Sequence, residues 1–236
     1  MISGDKNYNG VIDDLVNGSW ISPSDNKKYG IPIKNIEIRE TLDGREYDLI
    51  ESLHSNQKLL VVSDPFTHKA MGSRIFNNLK TKMNAEEYIW EQPSSSIEGV
   101  QFLRTKLKDY DGMIAVGSGT VSDSIKYATF LEDKVYSVFA TTPMNAYTTG
   151  TASISFDGIK KSLVAHYAQG VFFDLEVLSN CPKRLTAAAF ADVICRTTAQ
   201  VDWLMSHKLL NTDYKTTPYE LLALYEMDMI NNASDI

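Results

Sequence analysis

The sequence predicts an α/β fold in which a parallel sheet comes first and the incomplete start of an all-α domain follows. Short β-branched apolar runs alternate with stretches of helical periodicity up to about residue 180, and only helical periodicity follows. One of the runs, Gly112–Val116, leads directly into a glycine turn that opens a helix. Because strands that alternate with helices need crossover connections, their neighbours in the sheet are parallel. We therefore expect a Rossmann-like sheet domain at residues 1–180 and the beginning of a helical domain at residues 181–236.

Spacing and residue type predict the individual elements of the sheet domain. In chain order these are a strand at Ile36–Ile38, a helix at Glu46–Leu53, a strand at Leu59–Val62, a helix at Ala70–Leu79, a strand at Ile89–Trp90, a helix at Ile97–Leu107, a strand at Gly112–Val116, a helix at Val121–Leu131 and a strand at Val135–Ala140. Ligands of open parallel sheets bind outside the carboxyl ends of the strands. The residues that directly follow the strands are therefore the first candidates for a site.

The part after residue 180 is predicted to be helical. Leu185–Leu210 is a long, alanine-rich helical pattern, and Thr217–Glu220 is a helix start with a threonine cap, a proline in the first turn and a glutamate that can reach back. Roughly fifty residues are too few for a separate core, so we expect this domain to be truncated. Its uncovered apolar face favours a homo-oligomer.

Composition argues against several classes of partner. The 236 residues carry a formal net charge of −7 and no long basic patch, which disfavours nucleic acid and anionic membranes. Charged residues interrupt the N-terminal segment, and apolar runs are short, so we expect a cytoplasmic protein with no membrane span. Cys181 and Cys195 match no metal or redox spacing and are expected to be buried.

The glycine turn is the feature that points to a ligand. Gly117 and Gly119 allow a sharp turn and a close approach of the backbone, and the first amide groups of the following helix favour an anion. A nucleotide pyrophosphate would fit there. The dinucleotide fingerprint is incomplete, because Ser122 stands in place of its third glycine. A tight turn between strand and helix, without a ligand, is the alternative.

Four segments match a known family in its order along the chain. They are Leu60–Pro65, Val116–Lys126, Thr142–Thr149, and Ala187–Asp192 followed by Asp202-Trp203. Together they resemble the glycerol-1-phosphate dehydrogenase branch of the superfamily of iron-containing alcohol dehydrogenases, glycerol dehydrogenases and dehydroquinate synthases. The second segment is the most specific, and its one departure is Ser118 in place of the middle glycine.

The resemblance implies an NAD- or NADP-dependent oxidoreductase that transfers a hydride between the nicotinamide and a polyol or polyol phosphate, assisted by zinc or iron. It places Asp64 on the adenosine ribose, where a carboxylate favours NAD over NADP; the alternative for Asp64 is a helix cap before Pro65. The implied contacts to the pyrophosphate and the nicotinamide are Gly117, Ser118, Gly119, Thr120, Val121, Thr141, Thr142 and Thr149.

Catalytic roles are implied for Lys126, Asn145 and Asp192. Lys126 would reach the ribose or substrate hydroxyls, and a solvated helix lysine is the alternative. Asn145 stands where the family has an aspartate; it can hydrogen-bond a hydroxyl but cannot accept a proton. Asp123 has its own local interpretation, a capping box with Thr120 that would stabilise the helix start.

Asp192 matches the first protein ligand of the family's catalytic metal. The family completes the site with two histidines on later helices, but only His207 follows Asp192, at a spacing outside the family's. We expect His207 to be a surface residue or a partner of the dipole at the C-terminal end of its helix instead. A catalytic zinc needs about three protein ligands. An ion pair between Asp192 and Arg196 is the alternative role for the carboxylate.

Two functions from different classes therefore stay open. In the first, the chain is the cofactor domain and opening helices of a metal-assisted dehydrogenase acting on a substrate of the glycerol-1-phosphate or dihydroxyacetone phosphate type. In the second, it is a truncated, inactive relative that still binds a nucleotide. A dehydroquinate synthase-like lyase is a minor alternative.

Overall fold

The computed structural model describes residues 8–223 and 225–233. They form two compact units, one over Pro32–Cys181 and the other joining the segment that ends at Ile31 to the segment that starts at Pro182. The sheet unit ends at Cys181, whereas the sequence analysis proposed a functional boundary between residues 180 and 181, which these units do not test. The grouping of the N-terminal segment with the helices was not foreseen, and the division into functional domains stays a proposal.

The helices and strands follow one another in this order: α1 (Tyr8–Val16), β1 (Trp20–Ile21), β2 (Lys28–Tyr29), β3 (Asn35–Arg39), α2 (Glu46–His54), β4 (Leu59–Ser63), α3 (Pro65–Thr67), a π turn (His68–Gly72), α4 (Ser73–Leu79), β5 (Ala85–Ile89), α5 (Ile97–Leu107), β6 (Gly112–Gly117), α6 (Gly119–Leu131), β7 (Val135–Ala140), a 3-10 turn (Asn145–Thr148), β8 (Thr151–Phe156), β9 (Ile159–Val164), β10 (Gly170–Asp174), α7 (Leu175–Ser179), α8 (Lys183–Leu210), α9 (Thr217–Ala223) and α10 (Glu226–Asn231).

The larger unit is built on a parallel six-stranded sheet, which confirms the predicted fold class. Its strand order is β3-β10-β7-β6-β4-β5, and every neighbouring pair is parallel. Strands β4 and β6 are buried at each of their residues. Layers on both faces of a parallel sheet produce such strands, which is why these two read as continuous apolar runs in the sequence. The aromatic rings of Phe139 and Phe172 pack with their centroids 4.8 Å apart in the core.

Two predicted elements lie elsewhere than expected. The helix predicted from Ala70 begins at Pro65, because Asp64 caps it and a π turn continues it into α4. The strand predicted at Ile89–Trp90 is β5, which starts at Ala85. This strand lies at the sheet edge with Glu86 and Glu87 both exposed, and these charged residues interrupt the apolar pattern by which a strand is predicted.

The sequence analysis missed a β-hairpin and the last strand of the sheet. Strands β8 and β9 pair antiparallel around Asp157-Gly158, whose φ angles are 50° and 79°. Positive φ at both positions is typical of the Asp-Gly turn that joins two strands directly, and this signal could have been used. Strand β10 lies between β3 and β7 and carries Asp174 at its carboxyl end.

The second unit contains the predicted long helix, observed as α8 with 28 residues. Glu220 reaches back as expected, but to Thr216 (3.1 Å) rather than Thr217, and its other carboxylate oxygen accepts a 2.8 Å hydrogen bond from buried Ser22. Helix α8 carries exposed apolar side chains. Cys195, which lies on this helix, is exposed, so the prediction that Cys195 is buried is wrong. Among the described residues, no helix is long and apolar enough to cross a membrane.

Candidate functional site

Three polar loops meet at the carboxyl edge of the sheet. Asp64 follows β4, Ser118 follows β6 and Thr141 follows β7. The strands are in register, since Ser63 pairs with Val116 in β6. A 2.9 Å hydrogen bond from Thr67 Oγ1 to the Val116 carbonyl joins the first two loops. The parallel topology therefore brings these sequence-predicted residues together.

The glycine turn has the form expected of an anion cradle. Ser118 is the N-cap residue of α6, with an extended backbone, and its side chain makes no capping hydrogen bond. The first-turn amides, Gly119 to Val121, are therefore left without a side-chain cap. A Cβ on Gly119 would meet nothing nearer than Met144 Sδ at 3.9 Å, whereas one on Gly117 would lie 2.7 Å from Val121 Cβ. Gly117 is thus required by packing, whereas a Cβ on Gly119 would fit in ordinary van der Waals contact with Met144.

Two buried hydroxyl groups at this edge have no hydrogen-bond partner among the described residues. They are Ser122 Oγ, in the first turn of α6, and Thr141 Oγ1, directly after β7. A buried polar group without a partner costs about 1–3 kcal/mol. Thr141 was predicted as a cofactor contact. Ser122 was not, although its departure from the dinucleotide fingerprint was a signal that could have singled it out.

Tyr147 is a further residue that the sequence analysis did not identify. Its buried hydroxyl donates a 3.0 Å hydrogen bond to the Gly117 carbonyl, so Thr142 Oγ1, at 2.7 Å, is the donor to the tyrosine oxygen. Burial raises the pKa of Tyr147 to about 12, which keeps the phenol protonated at neutral pH. The contact fixes the carbonyl at the turn. No local sequence rule predicts it, because it joins residues that lie in separate loops.

Lys126 is buried, and the alternative that it is a solvated surface lysine is wrong. Its ammonium contacts Asp123 Oδ1 (3.3 Å), the Ala146 carbonyl (2.7 Å), Thr149 Oγ1 (3.3 Å) and the Thr151 carbonyl (2.9 Å). Burial lowers the pKa of Lys126, and the charge of Asp123 opposes this effect. A direct contact of Lys126 with a ribose or substrate stays a prediction.

Asp123 does not form the expected capping box with Thr120. The N-cap is Ser118, two residues before Thr120, so a capping box would need its acidic residue at the position of Val121. Asp123 instead pairs with Lys126, and its Oδ2 accepts a 3.1 Å hydrogen bond from the Ser153 amide in β8. The sequence showed the spacing of a capping box, but the missed hairpin supplies the actual partner.

Asp64 is the helix cap that the alternative interpretation proposed. Its Oδ1 accepts hydrogen bonds from the Phe66 and Thr67 amides at 2.8 and 3.0 Å. Both capping bonds end on the same carboxylate oxygen, so the cap is compatible with a ribose contact through Oδ2. That contact stays a prediction.

Thr149 lies beside the ammonium of Lys126, directly after the 3-10 turn that Asn145 begins. Asn145 starts the turn and Thr149 follows it, and both are half-buried. Thr149 Oγ1 lies 3.0 Å from the Ala146 carbonyl, to which it can donate. Their predicted roles at the nicotinamide are untested by this geometry.

Asp192 lies in α8, in the other compact unit. Within the described part of the chain it makes no ion pair with Arg196, so that alternative is wrong, and no group of three or more His, Cys, Asp or Glu residues could hold a metal ion. His207 Nδ1 donates to the Thr212 carbonyl at 2.6 Å, two residues past the end of α8.

Comparison with known proteins shows the family. The model of the iron-containing alcohol dehydrogenase family matches residues 37–182, and this chain belongs to that family. It is 28% identical to the glycerol-1-phosphate dehydrogenase [NAD(P)+] of Geobacillus thermodenitrificans over 70% of this chain and 43% of the relative. The enzyme of the same name from Pyrococcus horikoshii is 31% identical over 69% of this chain and 47% of the relative.

Solved structures show the same fold. Glycerol dehydrogenase from Schizosaccharomyces pombe superposes with a TM-score of 0.62 at 19% identity, covering 69% of this chain and 42% of that one. NADH-dependent butanol dehydrogenase A from Thermotoga maritima gives 0.61 at 18% identity, covering 70% and 48%. The chain spans about half the length of the curated relatives it matches.

Proposed function

We propose that this chain binds NAD or NADP at the carboxyl edge of its sheet, as the cofactor-binding part of an oxidoreductase. The reaction would transfer a hydride between the nicotinamide and a polyol phosphate of the glycerol-1-phosphate and dihydroxyacetone phosphate type. One observation carries the proposal: the uncapped first turn of α6 lies at the edge where Ser122 and Thr141 bury hydroxyls without partners.

The residues at this edge fit a dinucleotide. Backbone amides of Gly119, Thr120 and Val121 would hold the pyrophosphate, with Gly117 and Ser118 shaping the turn. The absence of a Cβ at Gly119, whose position is uncrowded, would let phosphate oxygens approach the backbone closely. The hydroxyl groups of Thr141 and Ser122, which have no partner among the described residues, would form hydrogen bonds with the ligand.

The choice between the two dinucleotides depends on Asp64. A carboxylate next to the ribose accepts hydrogen bonds from its hydroxyls and repels a 2′-phosphate. We therefore propose NAD as the preferred cofactor.

At the nicotinamide end the proposed contacts are Thr142, Thr149 and Asn145. When bound, the cofactor supplies the hydride acceptor or donor. Thr142 already donates its proton to Tyr147, so it can offer a ligand only its lone pairs. The Asn145 amide can orient a substrate hydroxyl but cannot take up its proton, so proton transfer in the proposed reaction requires another group.

The described residues do not supply a complete set of ligands for a metal ion. The relatives' family is named for iron, but here Asp192 is the single predicted ligand, and about three protein ligands are needed for a catalytic zinc. We derive no step through a metal. Asp192 as the first ligand of zinc or iron stays part of the proposal.

The test is a titration of the purified chain with NADH and NADPH, followed by cofactor fluorescence, and then an assay of NADH oxidation with dihydroxyacetone phosphate and added Zn²⁺. Binding with turnover supports the dehydrogenase. Binding without turnover supports the second candidate, an inactive nucleotide-binding relative. A folded chain that binds neither dinucleotide at millimolar concentration would refute the proposed function.

We also propose that the chain self-associates and that it is cytoplasmic. Support for self-association comes from the exposed apolar side chains of α8, among them Val201, Met205, Leu209 and Leu210. Contiguous apolar surface of this kind is typical of interfaces. Sedimentation velocity over a series of protein concentrations is expected to show a concentration-dependent increase in mass, and a constant monomer mass would contradict it.

A further inference from the structure

The ammonium of Lys126 has no donor left for a ligand. An ammonium group carries three N–H donors, and four oxygens of the protein already surround this one within 3.3 Å. Two of the four are carbonyl oxygens at the shorter distances, those of Ala146 and Thr151. The lysine thus joins α6 to both ends of one short segment, residues 146–151.

Asp123 adds a second link between α6 and β8. Its Oδ1 pairs with the buried ammonium of Lys126, and its Oδ2 accepts a hydrogen bond from the Ser153 amide. The Asp123–Lys126 pair therefore fixes the 3-10 turn and the beginning of β8 against the helix that starts at the glycine turn. An uncompensated buried charge is strongly unfavourable, so the two residues form a unit.

The fixed segment carries groups that the cofactor site would use. Tyr147 lies within it and holds the Gly117 carbonyl and the Thr142 hydroxyl. Thr149, a predicted nicotinamide contact, is itself one of the oxygens around the ammonium. The position of residues 146–151 is therefore linked to the glycine turn at one end and to Lys126 at the other.

We propose that Lys126 is a positioning residue: paired with Asp123, it holds residues 146–151 in the conformation that receives the nicotinamide half of the dinucleotide, without itself contacting the ligand. The inference rests on the proposed function, because it assigns a role within that cofactor site. It replaces a direct catalytic contact of Lys126 by an indirect one. When a segment holds the binding conformation only part of the time, its apparent Kd equals the intrinsic Kd divided by the fraction of molecules in that conformation.

The experiment compares Lys126→Met with Lys134→Met. Lys134 is a matched control, because its ammonium also binds backbone carbonyls, those of Leu107, Lys108 and Tyr110 at the end of α5, away from the segment. In Lys126→Met we expect the Kd for NADH to rise about tenfold, as for a segment that is competent about a tenth of the time. The Kd for ADP-ribose, which lacks the nicotinamide, should stay within about twofold of the wild type on the same reasoning. Lys134→Met should change neither constant.

Hydrogen exchange of the ligand-free protein supplies the readout that separates positioning from contact. Amides of residues 145–151 should exchange faster in Lys126→Met and not in Lys134→Met. If Lys126→Met does not fold, Asp123→Asn, which keeps the shape and removes the charge, should shift NADH affinity and exchange in the same direction by less.

Three outcomes would overturn the proposal. Loss of NADH affinity with unchanged exchange would show a direct contact. Equal loss of NADH and ADP-ribose affinity would show a general structural role. A folded wild-type chain that binds neither ligand would refute the proposed function itself. This third outcome is distinguishable from the first two, because it is observed in the wild-type protein without any variant.

Discussion

Replacing Gly117 with alanine is expected to lower both the stability of the protein and its affinity for NADH. A Cβ at this position would lie 2.7 Å from Val121 Cβ and 3.0 Å from its Cγ2, so the first turn of α6 must move. Overpacking of this kind costs about 1–3 kcal/mol of folding free energy. Because the displaced turn carries the amides proposed to hold the pyrophosphate, we expect the Kd for NADH to rise about 100-fold. Urea unfolding and NADH fluorescence titration measure the two effects.

Gly119→Ala is the matched control for the packing argument. A Cβ there would meet only Met144 Sδ at 3.9 Å, so stability should stay near the wild-type value. The new methyl group would nevertheless hinder the close approach of the phosphates proposed to bind at this turn, and affinity for NADH should fall. A Gly117→Ala protein that is destabilised but binds NADH normally would contradict the assignment of this turn to the pyrophosphate.

Replacing Arg74 with methionine is expected to cost about 3–5 kcal/mol of the free energy of unfolding at pH 7. The guanidinium donates from Nε to Glu46 Oε1 at 2.7 Å and from Nη2 to Asp174 Oδ2 at 2.6 Å. Both carboxylate side chains are fully buried. Methionine keeps much of the apolar stem but leaves the two charges without their cation. The ion pairs join α2, α4 and the end of β10, so the loss affects the whole sheet unit.

The effect of Arg74→Met should depend on pH with a definite sign. Burial acts to raise the pKa of Asp174, but hydrogen bonds from the Leu42 amide and Arg74 outweigh it and hold the pKa below 3.8. A pKa lowered in the folded state gives stability that is present above 3.8 and is lost as pH falls through the folded value. Without Arg74 the folded pKa rises, so the deficit of the variant should be largest near neutral pH and shrink on acidification.

Arg104→Met is the control for this second prediction. Arg104 also pairs with a glutamate, Glu132, but both side chains are about one-third exposed. Exposed pairs contribute about 0–1 kcal/mol, so this variant should unfold at nearly the wild-type urea concentration. Equal destabilisation by the two substitutions, or a deficit for Arg74→Met that grows as pH falls, would refute the explanation by buried charge.

The sequence predicted the strands and helices that are encoded by strong local patterns. β7 and α5 begin and end at the predicted residues, because continuous apolar runs and helical periodicity mark them. It also identified the glycine turn. It located only the end of β5, where charged residues at a sheet edge interrupt the pattern, and it missed the hairpin β8–β9, whose exposed lysines masked the strand.

The candidate site shows the same division more sharply. Local spacing favoured a capping role for Asp123. For Lys126 it left two interpretations open, a contact with the ligand and a solvated lysine on the helix surface. Neither spacing could reveal the 3-10 turn and β8, which supply partners of both side chains from residues 20 to 30 positions further along the chain. Ser122 and Tyr147 were not identified for a related reason. Ser122 lacks a hydrogen-bond partner and Tyr147 finds one in a distant segment, and both properties depend on the folded surroundings rather than on the local sequence.

The sequence by itself determined the alternation of strands and helices up to β7, the parallel sheet that this alternation implies and the place of the glycine turn, because each follows from interactions between near neighbours in the chain. Only the tertiary structure decided which polar groups are free and which are engaged. A hydrogen bond is satisfied or left open by whatever atom folding brings within 3 Å, and in this protein that atom comes from a distant segment for Lys126, Asp123 and the Gly117 carbonyl.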